Sequence, residues 1–373
     1  MITNIHIENF KSIEKQTINF DEFSMLIGEN GSGKTNLIHA INFVKKVVLG
    51  PNVVEAYKSF AALPSELLNK RSNTQVIKIS MVLLNGDDTQ YHLSYDFSLD
   101  STTPLKNLVI SSEKFTIIKS NQPQIIFERK GDNIISEPLS GSSNLKIGGT
   151  VSAMSVIDHP SVQKAKSIFQ DIYISEADIS ASGSKHPLEE KVIAAITALR
   201  KKNEEEYKKF EAVIKKLIPT LSSLTDVSDT ISRVVNMSNI NEYQILFTEK
   251  NMEGSLSMKA GSHGDLRTYY ILALAFYAGE HSTIIIEELE NGIHTKRAKD
   301  LIDYLEKICY QQNKQLIVSS HNPRLIGKVP YEKLILVERS IENGSVYKKL
   351  KESANIPILE KFLEQGGEIN QLV

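Results

Sequence analysis

The sequence contains a single cysteine, Cys309, which excludes an internal disulfide framework and a zinc site built from several cysteines. No stretch approaches the roughly 20 apolar residues that are needed to cross a bilayer. Residues 1–20 alternate apolar and polar side chains and include four charged ones, which is unlike a signal peptide. Basic and acidic residues nearly balance, at 43 against 45, so a general basic coat for nucleic acid is not expected. These absences predict a cytoplasmic protein without membrane partners.

The length of the chain indicates more than one structural unit. It has 373 residues, more than one compact domain normally needs, and its 41% hydrophobic content allows a sizeable core. Changes in hydrophobic periodicity divide the sequence into an N-terminal part (1–150), a central insertion (151–235) and a C-terminal part (236–373).

The N-terminal part is predicted to begin with strands and one long helix. Apolar residues indicate strands over Ile2–Phe10 and Phe23–Ile27, and a helix from Lys34 that ends at Gly50-Pro51. Residues 75–138 are typical of successive antiparallel strands joined by short turns. A loop rich in serine and glycine follows, over Ser140–Thr150.

The central insertion is predicted to be helical. Apolar residues recur every three or four positions between Ser161 and Thr220, which indicates a helical arm or hairpin that packs on another helix. Within it, Arg200-Lys201-Lys202 is followed by Glu204-Glu205-Glu206. This order favours a solvated helix face with internal ion pairs over a DNA-binding stripe.

The C-terminal part alternates strands with helices. After candidate strands at Tyr243–Thr248 and Ser255–Met258, a helix is predicted over Gly264–Ala278. Short apolar strands then follow, separated by further helical patterns; they are Thr283–Ile286, Gln315–Ser319 and Leu334–Val337. Such alternation predicts an α/β fold with a mostly parallel sheet.

The most specific motif runs from Gly28 to Thr35, with the sequence Gly-Glu-Asn-Gly-Ser-Gly-Lys-Thr. It fits G-x-x-x-x-G-K-[ST] between a predicted strand and a predicted helix, which is the context that this motif requires. The glycines allow successive backbone N–H groups to face an anion beside the helix N-terminus. Lys34 is expected to reach the β- and γ-phosphates of a nucleotide, and the Thr35 hydroxyl to ligate Mg²⁺. The alternative is an ordinary glycine-rich turn between a strand and a helix, but that alternative does not account for the lysine and threonine at the end of the motif.

A second apolar strand ends in two acids. Glu287 and Glu288 follow Thr283–Ile286 at the carboxyl edge of the predicted sheet, where ligands of α/β proteins bind. Glu287 is placed to hold Mg²⁺, directly or through water, and Glu288 to polarise an attacking water as general base. Two adjacent acids are also typical of the start of a solvated loop, but the phosphate-binding motif favours the functional interpretation.

Two weaker signals complete the candidate site. His321 follows the strand at 315–319, where it is expected to contact a γ-phosphate, although a lone histidine there is usually structural. Ser262-His263-Gly264-Asp265 precedes a helix. Its serine is a plain N-cap or part of an anion site, and the two roles do not exclude each other.

Together these motifs resemble those of an ABC-type ATPase of the SMC/RecF/OLD branch, an AAA-type group found in bacterial anti-phage defence systems. Residues Ile5–Ser12 are similar to the opening of that branch, Glu290–His294 resembles its D-loop, and Ser262–Asp265 looks like a divergent signature motif. The resemblance implies an ABC-type P-loop ATPase head with an antiparallel β subdomain and an inserted helical arm. It implies Glu288 and His321 as catalytic residues and Thr35 and Glu287 as metal ligands. The implied ATP-binding residues are Lys11, Gly28, Asn30, Gly31, Ser32, Gly33, Lys34, Thr35, Asn36, Ser262 and Gly264.

The sequence departs from the pattern of that branch in several places. Glu287 stands where aspartate is more usual, and the signature lacks the Leu-Ser-Gly-Gly form. The Q-loop glutamine is not assigned, with Gln75 and Gln163 as the two possibilities. The residues after His321 are too few for the TOPRIM nuclease domain of full OLD proteins, so any nuclease is expected on a separate chain.

The resemblance implies an ATP-driven switch. ATP is expected to close a homodimer or higher homo-oligomer through the nucleotide sites, and hydrolysis to reopen it. The state of the switch would then control a separate effector, a nuclease or toxin, in bacterial defence or DNA maintenance. Two alternatives stay open: a RecF-like DNA-repair ATPase that acts directly on DNA, and an ATP-binding scaffold with negligible turnover.

Overall fold

The computed structural model describes residues 1–100, 107–135, 145–175, 187–226 and 245–350. Parts of the predicted loop Ser140–Thr150 and of the predicted strand Tyr243–Thr248 lie outside these ranges. The strands are β1 (Ile2–Phe10), β2 (Ile13–Asn19), β3 (Phe23–Ile27), β4 (Val76–Leu84), β5 (Gln90–Leu99), β6 (Leu108–Lys119), β7 (Gln122–Lys130), β8 (Asn133–Ile135), β9 (Leu145–Lys146), β10 (Ile172–Ser175), β11 (Leu221–Asp226), β12 (Ile245–Glu249), β13 (Leu256–Ser257), β14 (Thr283–Ile286), β15 (Gln315–Ser320), β16 (Leu334–Ser340) and β17 (Gly344–Lys349).

The α-helices that the structure describes lie between these strands. They are α1 (Lys34–Leu49), α2 (Val53–Lys58), α3 (Ala153–Val156), α4 (Pro160–Gln170), α5 (Leu188–Lys202), α6 (Glu204–Leu217), α7 (His263–Tyr277), α8 (Thr295–Gln311) and α9 (Pro323–Ile326). None of the described helices is both long and apolar enough to cross a lipid bilayer.

One large sheet carries the fold. Its order in the described chain is β10-β14-β15-β3-β16-β17-β2-β1-β4-β5-β6-β7-β8-β9, and β11-β12-β13 form a small second sheet. The first five strands are parallel, and every later pair is antiparallel. The predicted parallel core and antiparallel β subdomain are therefore both confirmed. They form one continuous sheet, joined through β1 and β2.

Both faces of the parallel strands are buried. On β14, Ile285 belongs to the hydrophobic cluster that contains α1 and α4, whereas Ile284 and Ile286 belong to the cluster on the opposite face. Because side chains alternate along a strand, a strand buried on both faces has a continuous apolar sequence. The helices α5 to α8 cover the second face, and the carboxyl ends of β3, β14 and β15 meet at one edge.

The prediction of a continuous helical region after residue 161 is wrong at one place. Ile172–Ser175 is strand β10, which pairs in parallel with β14 at the edge of the large sheet. Only four residues long, it is too short to produce a clear period of two in a helical neighbourhood. The helices α5 and α6 pack against α7. Asn203 is the C-cap of α5 and the N-cap of α6. The domain boundaries at 150 and 235 stay a prediction.

The basic run on α5 is used partly for contacts within the chain. Lys202 Nζ donates to the Tyr277 carbonyl at the end of α7 (2.9 Å), and Arg200 pairs with Asp226 at 3.5 Å. Lys209 pairs with Glu205 and Glu206 on α6. These contacts support the interpretation of the run as a helix face with ion pairs rather than a DNA-binding stripe.

The antiparallel lobe contains a fully buried ion pair. Glu113 on β6 and Arg129 on β7 are both 0% exposed, with Arg129 Nη1 at 3.8 Å from Glu113 Oε2. Glu113 also accepts hydrogen bonds from the Ser152 hydroxyl (2.6 Å) and from the Ala153 N–H (2.7 Å) at the start of α3. Arg129 donates to the Val151 carbonyl. The pair therefore attaches the segment before α3 to the lobe.

We expect Glu113→Gln to destabilise the protein by about 3–5 kcal/mol, because it leaves the Arg129 charge buried without its carboxylate. Denaturant unfolding followed by circular dichroism measures the loss. Glu128→Gln in the same lobe is the matched control, since Glu128 pairs with lysines at the surface and such pairs contribute at most about 1 kcal/mol. Equal losses in the two variants would contradict the importance of the buried pair.

Candidate active site

The loop Gly28–Gly33 connects β3 to α1 in a conformation that requires glycine. Gly28 has φ of 151° and Gly33 has φ of 121°, values that side chains rarely adopt. A Cβ on Gly28 would lie 2.2 Å from the Val337 carbonyl oxygen, and one on Gly33 would lie 2.2 Å from Ser345 Oγ. No side chain caps α1, and its first turn carries no acidic residue. The helix N-terminus is thus left open toward an anion.

Lys34 folds back over the loop. Its ammonium donates to the carbonyls of Gly28 (2.7 Å) and Glu29 (2.8 Å), and the residue is only 5% exposed. Burial lowers the pKa of Lys34, while the charges of Glu288, Glu290 and Glu287 act in the opposite direction. The ammonium thus lies inside the loop, in the field of the three acids after β14.

Two predicted metal ligands are in direct contact. The Thr35 hydroxyl donates a hydrogen bond to Glu287 Oε1, although 252 positions separate the two residues. A hydroxyl and a carboxylate oxygen are ligands that suit Mg²⁺, which is usually held by one or two carboxylates plus phosphate oxygens. No group of three or more His, Cys, Asp or Glu side chains in the described ranges is arranged to hold a metal by itself. The donor set therefore fits a metal that binds together with a nucleotide.

Glu288 begins a tight turn after β14. Its φ is 45°, which is uncommon for a residue other than glycine and is often found at functional sites. The Glu288 N–H donates to Ser319 Oγ on β15 (2.9 Å), and the next N–H, that of Leu289, donates to the Ser319 carbonyl (3.2 Å). Ser319 was given no role in the sequence-based prediction, and only the pairing of β14 with β15 brings it here.

Lys11 lies close to Ser12 and to Asn36 near the start of α1. Its ammonium donates to His39 Nδ1 (2.9 Å), so the proton of this imidazole is on Nε2. Burial, followed by the Lys11 charge, lowers the pKa of His39 to about 4, which keeps the ring neutral. Burial also lowers the pKa of Lys11, and Glu66 and Glu287 oppose that shift. Lys11 is thereby held within electrostatic reach of the predicted metal ligand.

Side-chain hydroxyl groups of the hairpin β16–β17 donate hydrogen bonds to the loop, a contact that the sequence did not predict. Ser345 Oγ donates to the Ser32 carbonyl (2.6 Å), and the Tyr347 hydroxyl donates to the Gly33 carbonyl (2.8 Å). The hydroxyl of Ser345 also contacts that of Ser12, to which Asn36 donates at 2.6 Å. Asn36 thus fixes the framework of the site.

The remaining residues of the loop differ in exposure. Asn30 and Gly31 are exposed, and the Ser32 hydroxyl is buried without a hydrogen-bond partner.

Two cavities flank the loop. One of about 580 Å³ lies between Gly28–Ser32 and the end of β16, and one of about 330 Å³ lies beside Lys11 and Asn36. Arg71 and Arg339 line both of them. A larger cavity of about 810 Å³ contains Phe23 and Leu316 and therefore lies at the opposite edge of the sheet. We assign the site to the loop edge, because the phosphate-binding loop and the acids lie there.

The predicted signature residues lie away from the loop. Ser262 is the N-cap of α7, where it accepts from the Asp265 N–H (3.1 Å) and donates to Asp265 Oδ2 (2.6 Å). Within the described ranges, no hydrogen bond joins it to the loop of the same chain. Gly264 is buried against Gly292, whose carbonyl oxygen would lie 2.4 Å from a Cβ on Gly264. The nucleotide-binding roles of Ser262 and Gly264 stay predictions.

Other predicted residues are placed less directly. His321 follows β15, and its side chain is 41% exposed. Gln75 and Gln163 are exposed, and neither makes a hydrogen bond to the loop in the described part of the chain, so the Q-loop residue is still unassigned.

Arg267 on α7 was missed by the sequence-based prediction. It is 1% exposed and donates to the carbonyls of Glu287 (2.6 Å) and Glu288 (3.1 Å).

Comparison with known proteins identifies the family. The description "AAA ATPase domain" matches residues 1–326. The chain belongs to this family. An "ATP/GTP phosphatase" of Helicobacter pylori (strain ATCC 700392 / 26695) is 22% identical over 345 residues, which cover 87% of this AAA ATPase and 86% of the relative. Both findings support ATP hydrolysis as its enzymatic activity.

The fold of the AAA ATPase is that of SMC head domains, which are ABC-type P-loop ATPases. An SMC head bound to the C-winged helix domain of ScpA superposes with a TM-score of 0.59 at 16% identity, over 93% of this chain and 96% of that one. An SMC head with an extended coiled coil, bound to the C-terminal domain of ScpA derived from Pyrococcus furiosus, gives 0.53 at 14% identity, over 97% and 99%. The predicted fold class is confirmed.

Lys34→Ala is expected to abolish nucleotide binding, because it removes the ammonium group from the centre of the loop. Equilibrium titration with a fluorescent ATP analogue measures the affinity. Lys45→Ala, on the same helix but with its ammonium bonded to the Ile172 carbonyl, is the control and should retain binding. Affinity within a few-fold of wild type in Lys34→Ala would contradict the assignment of the loop.

Tyr347→Phe tests the hairpin beneath the loop. It removes one hydrogen bond to the Gly33 carbonyl, which still accepts from the Leu37 N–H (3.2 Å), so folding should be little affected. We expect nucleotide affinity to fall several-fold, in line with about 1 kcal/mol for one hydrogen bond. The same titration measures it, with Tyr310→Phe as control, since Tyr310 is 77% exposed on α8. Unchanged affinity would show that the hairpin does not shape the loop.

Proposed function

We propose that this AAA ATPase is a switch in which ATP closes a homodimer and hydrolysis reopens it. The state of the dimer controls a separate effector protein, a nuclease or toxin, in bacterial defence or DNA maintenance. The observation that carries the proposal is the meeting of the loop with the two acids: Thr35 contacts Glu287, and the charge of Glu288 acts on the buried Lys34. This arrangement is suited to hydrolysis of a bound nucleoside triphosphate.

The residues divide the chemistry among them. The backbone of Gly28–Gly33 and the ammonium groups of Lys34 and Lys11 bind the phosphates and offset their charge. Thr35 and Glu287 are the residues that would hold Mg²⁺, which adds positive charge at the phosphate oxygens when it is bound. The carboxylate of Glu288 orients the attacking water and accepts its proton as general base. Hydrogen bonds to Ser319 fix the Glu288 backbone, so this carboxylate starts from a defined position.

The dimer is supported by the place of the predicted signature. Ser262 and His263 are exposed at the start of α7, and Ser262 makes no hydrogen bond to the loop of its own chain in the described residues. A helix N-terminus carries partial positive charge and is suited to contact a phosphate of the nucleotide that a second copy of the chain binds. Similarity to heads that bind ScpA domains supports a separate protein partner.

DNA is a weaker candidate for the partner. The net charge is −2, and Arg200 and Lys202 of the basic run are engaged within the chain. Turnover that DNA strongly stimulates would favour the RecF-like alternative over the switch. Tight ATP binding without turnover would favour a scaffold.

Glu288→Gln should retain ATP binding and lose turnover by about 10²-fold or more, because it keeps the size of the side chain but removes the base. Since hydrolysis reopens the interface, the variant should accumulate as a dimer or higher oligomer with ATP and Mg²⁺. Phosphate release and analytical ultracentrifugation measure the two effects.

Glu211→Gln is the control, because Glu211 only pairs with Lys215 on the surface of α6. Normal turnover in Glu288→Gln would reject the catalytic role of this residue. Lost turnover without an ATP-dependent change in mass would retain the base and reject the dimer switch.

A further inference from the structure

The ends of β14 and β15 are joined by hydrogen bonds in both directions. In one direction, Ser319 accepts from the backbone of Glu288 and Leu289, as described above. In the other direction, Glu290, the fourth residue after β14, accepts from the residues that follow Ser319. These reciprocal bonds connect the segment of the proposed base with the segment of His321.

One carboxylate oxygen of Glu290 makes all of its contacts with residues 320–322. Its Oε1 accepts from the Ser320 hydroxyl (2.9 Å) and from the N–H groups of His321 (2.8 Å) and Asn322 (3.2 Å). The same oxygen lies 3.3 Å from Nδ1 of the His321 imidazole. Every one of these partners is a donor or carries a donor in one tautomer. A carboxylate, which only accepts, is therefore matched to this position.

The second oxygen of Glu290 has no partner of its own. The residue is 9% exposed, and Oε2 is buried without a hydrogen bond. An unsatisfied buried carboxylate oxygen is costly, and residues that only stabilise the fold are normally satisfied. The other two acids after β14 have assigned roles in the site, whereas Glu290 has none beyond these contacts.

We propose that Glu290 is a positioning residue for catalysis: it holds the His321 imidazole with Nδ1–H toward its carboxylate, so that Nε2 on the far side of the ring faces the reacting phosphate and, when the ring is protonated, donates a hydrogen bond to a phosphate oxygen. Glu290 itself does not touch the nucleotide. It fixes the ring relative to Glu288, because both segments are bonded to the end of β15. The inference rests on the proposed function and on the contact with a γ-phosphate that the sequence predicts for His321.

Glu290→Gln is the variant that tests this role. Its carbonyl oxygen can still accept from Ser320, from the backbone and from Nδ1–H, but it carries no charge, so the Nδ1–H tautomer is favoured less strongly. We expect kcat to fall about 10- to 100-fold, the range found when a residue that orients a reacting group is removed, with KM within about three-fold of wild type. Glu206→Gln is the control: Glu206 also accepts two side-chain hydrogen bonds, and it lies away from the site.

A double-mutant cycle with His321→Ala separates positioning from a structural role. If Glu290 acts through the ring, Glu290→Gln should lower kcat no further once His321 is alanine. Long-range ¹⁵N–¹H spectra of histidine-labelled protein add a direct readout, with the His321 signal assigned by its loss in His321→Ala. We expect the Nδ1–H tautomer in wild type and a shift toward Nε2–H in Glu290→Gln.

The possible outcomes distinguish this inference from the proposed function. Wild-type kcat in His321→Ala would overturn the role of His321 and with it the positioning role of Glu290, whereas the proposed function, which rests on Glu288, would stand. Reduced kcat in His321→Ala with normal kcat in Glu290→Gln, or with losses that add in the double variant, would overturn the positioning role alone. Glu290→Asp is a second variant, which keeps the charge and serves if Glu290→Gln does not fold, as judged by circular dichroism. If the charge is what orients the ring, Glu290→Asp should retain the Nδ1–H tautomer of the wild type.

Discussion

The hydrogen bond between Thr35 and Glu287 is the contact on which the site depends. It joins the start of α1 to the end of β14, which are 252 positions apart in sequence but only two strands apart in the sheet, with β15 between them. The parallel order of β14, β15 and β3 brings their carboxyl ends to one edge, and strand pairing alone fixes the distance between the phosphate loop and the acids. Any change that shifts β15 also moves the residues after β14, since Ser319 and Ser320 bond to them.

The parts of this arrangement that the sequence predicts are those with a local signal. The loop Gly28–Thr35 has a fixed spacing and a fixed context, and the helix that follows it has a regular apolar face. The acids at 287 and 288 are predictable because an apolar strand precedes them. In each case the signal lies within about twenty residues, so that no knowledge of the tertiary fold is required.

The supporting residues have no such signal. Ser345 and Tyr347 lie more than 300 positions from the loop that they contact, and neither belongs to a motif. Arg267 is a charged residue in the mostly apolar helix α7, and its guanidinium donates to the carbonyls after the end of β14. Strand β10 was taken for helix because it is four residues long and its only partner in the described sheet is more than 100 positions away. Non-local pairing decides these positions, and a single sequence does not record it.

The contact between Gly264 and Gly292 has a mechanical consequence. A Cβ on Gly264 would lie 2.4 Å from the Gly292 carbonyl oxygen, and a Cβ on Gly292 would lie 2.4 Å from Nδ1 of the His263 side chain. The start of α7 and the turn after β14 therefore meet with no room for a side chain at either glycine. A displacement of the exposed start of α7 is therefore expected to displace the turn that carries Glu290, which is bonded to the N–H of His321. Close packing of this kind would couple the exposed surface at Ser262 and His263 to the candidate site.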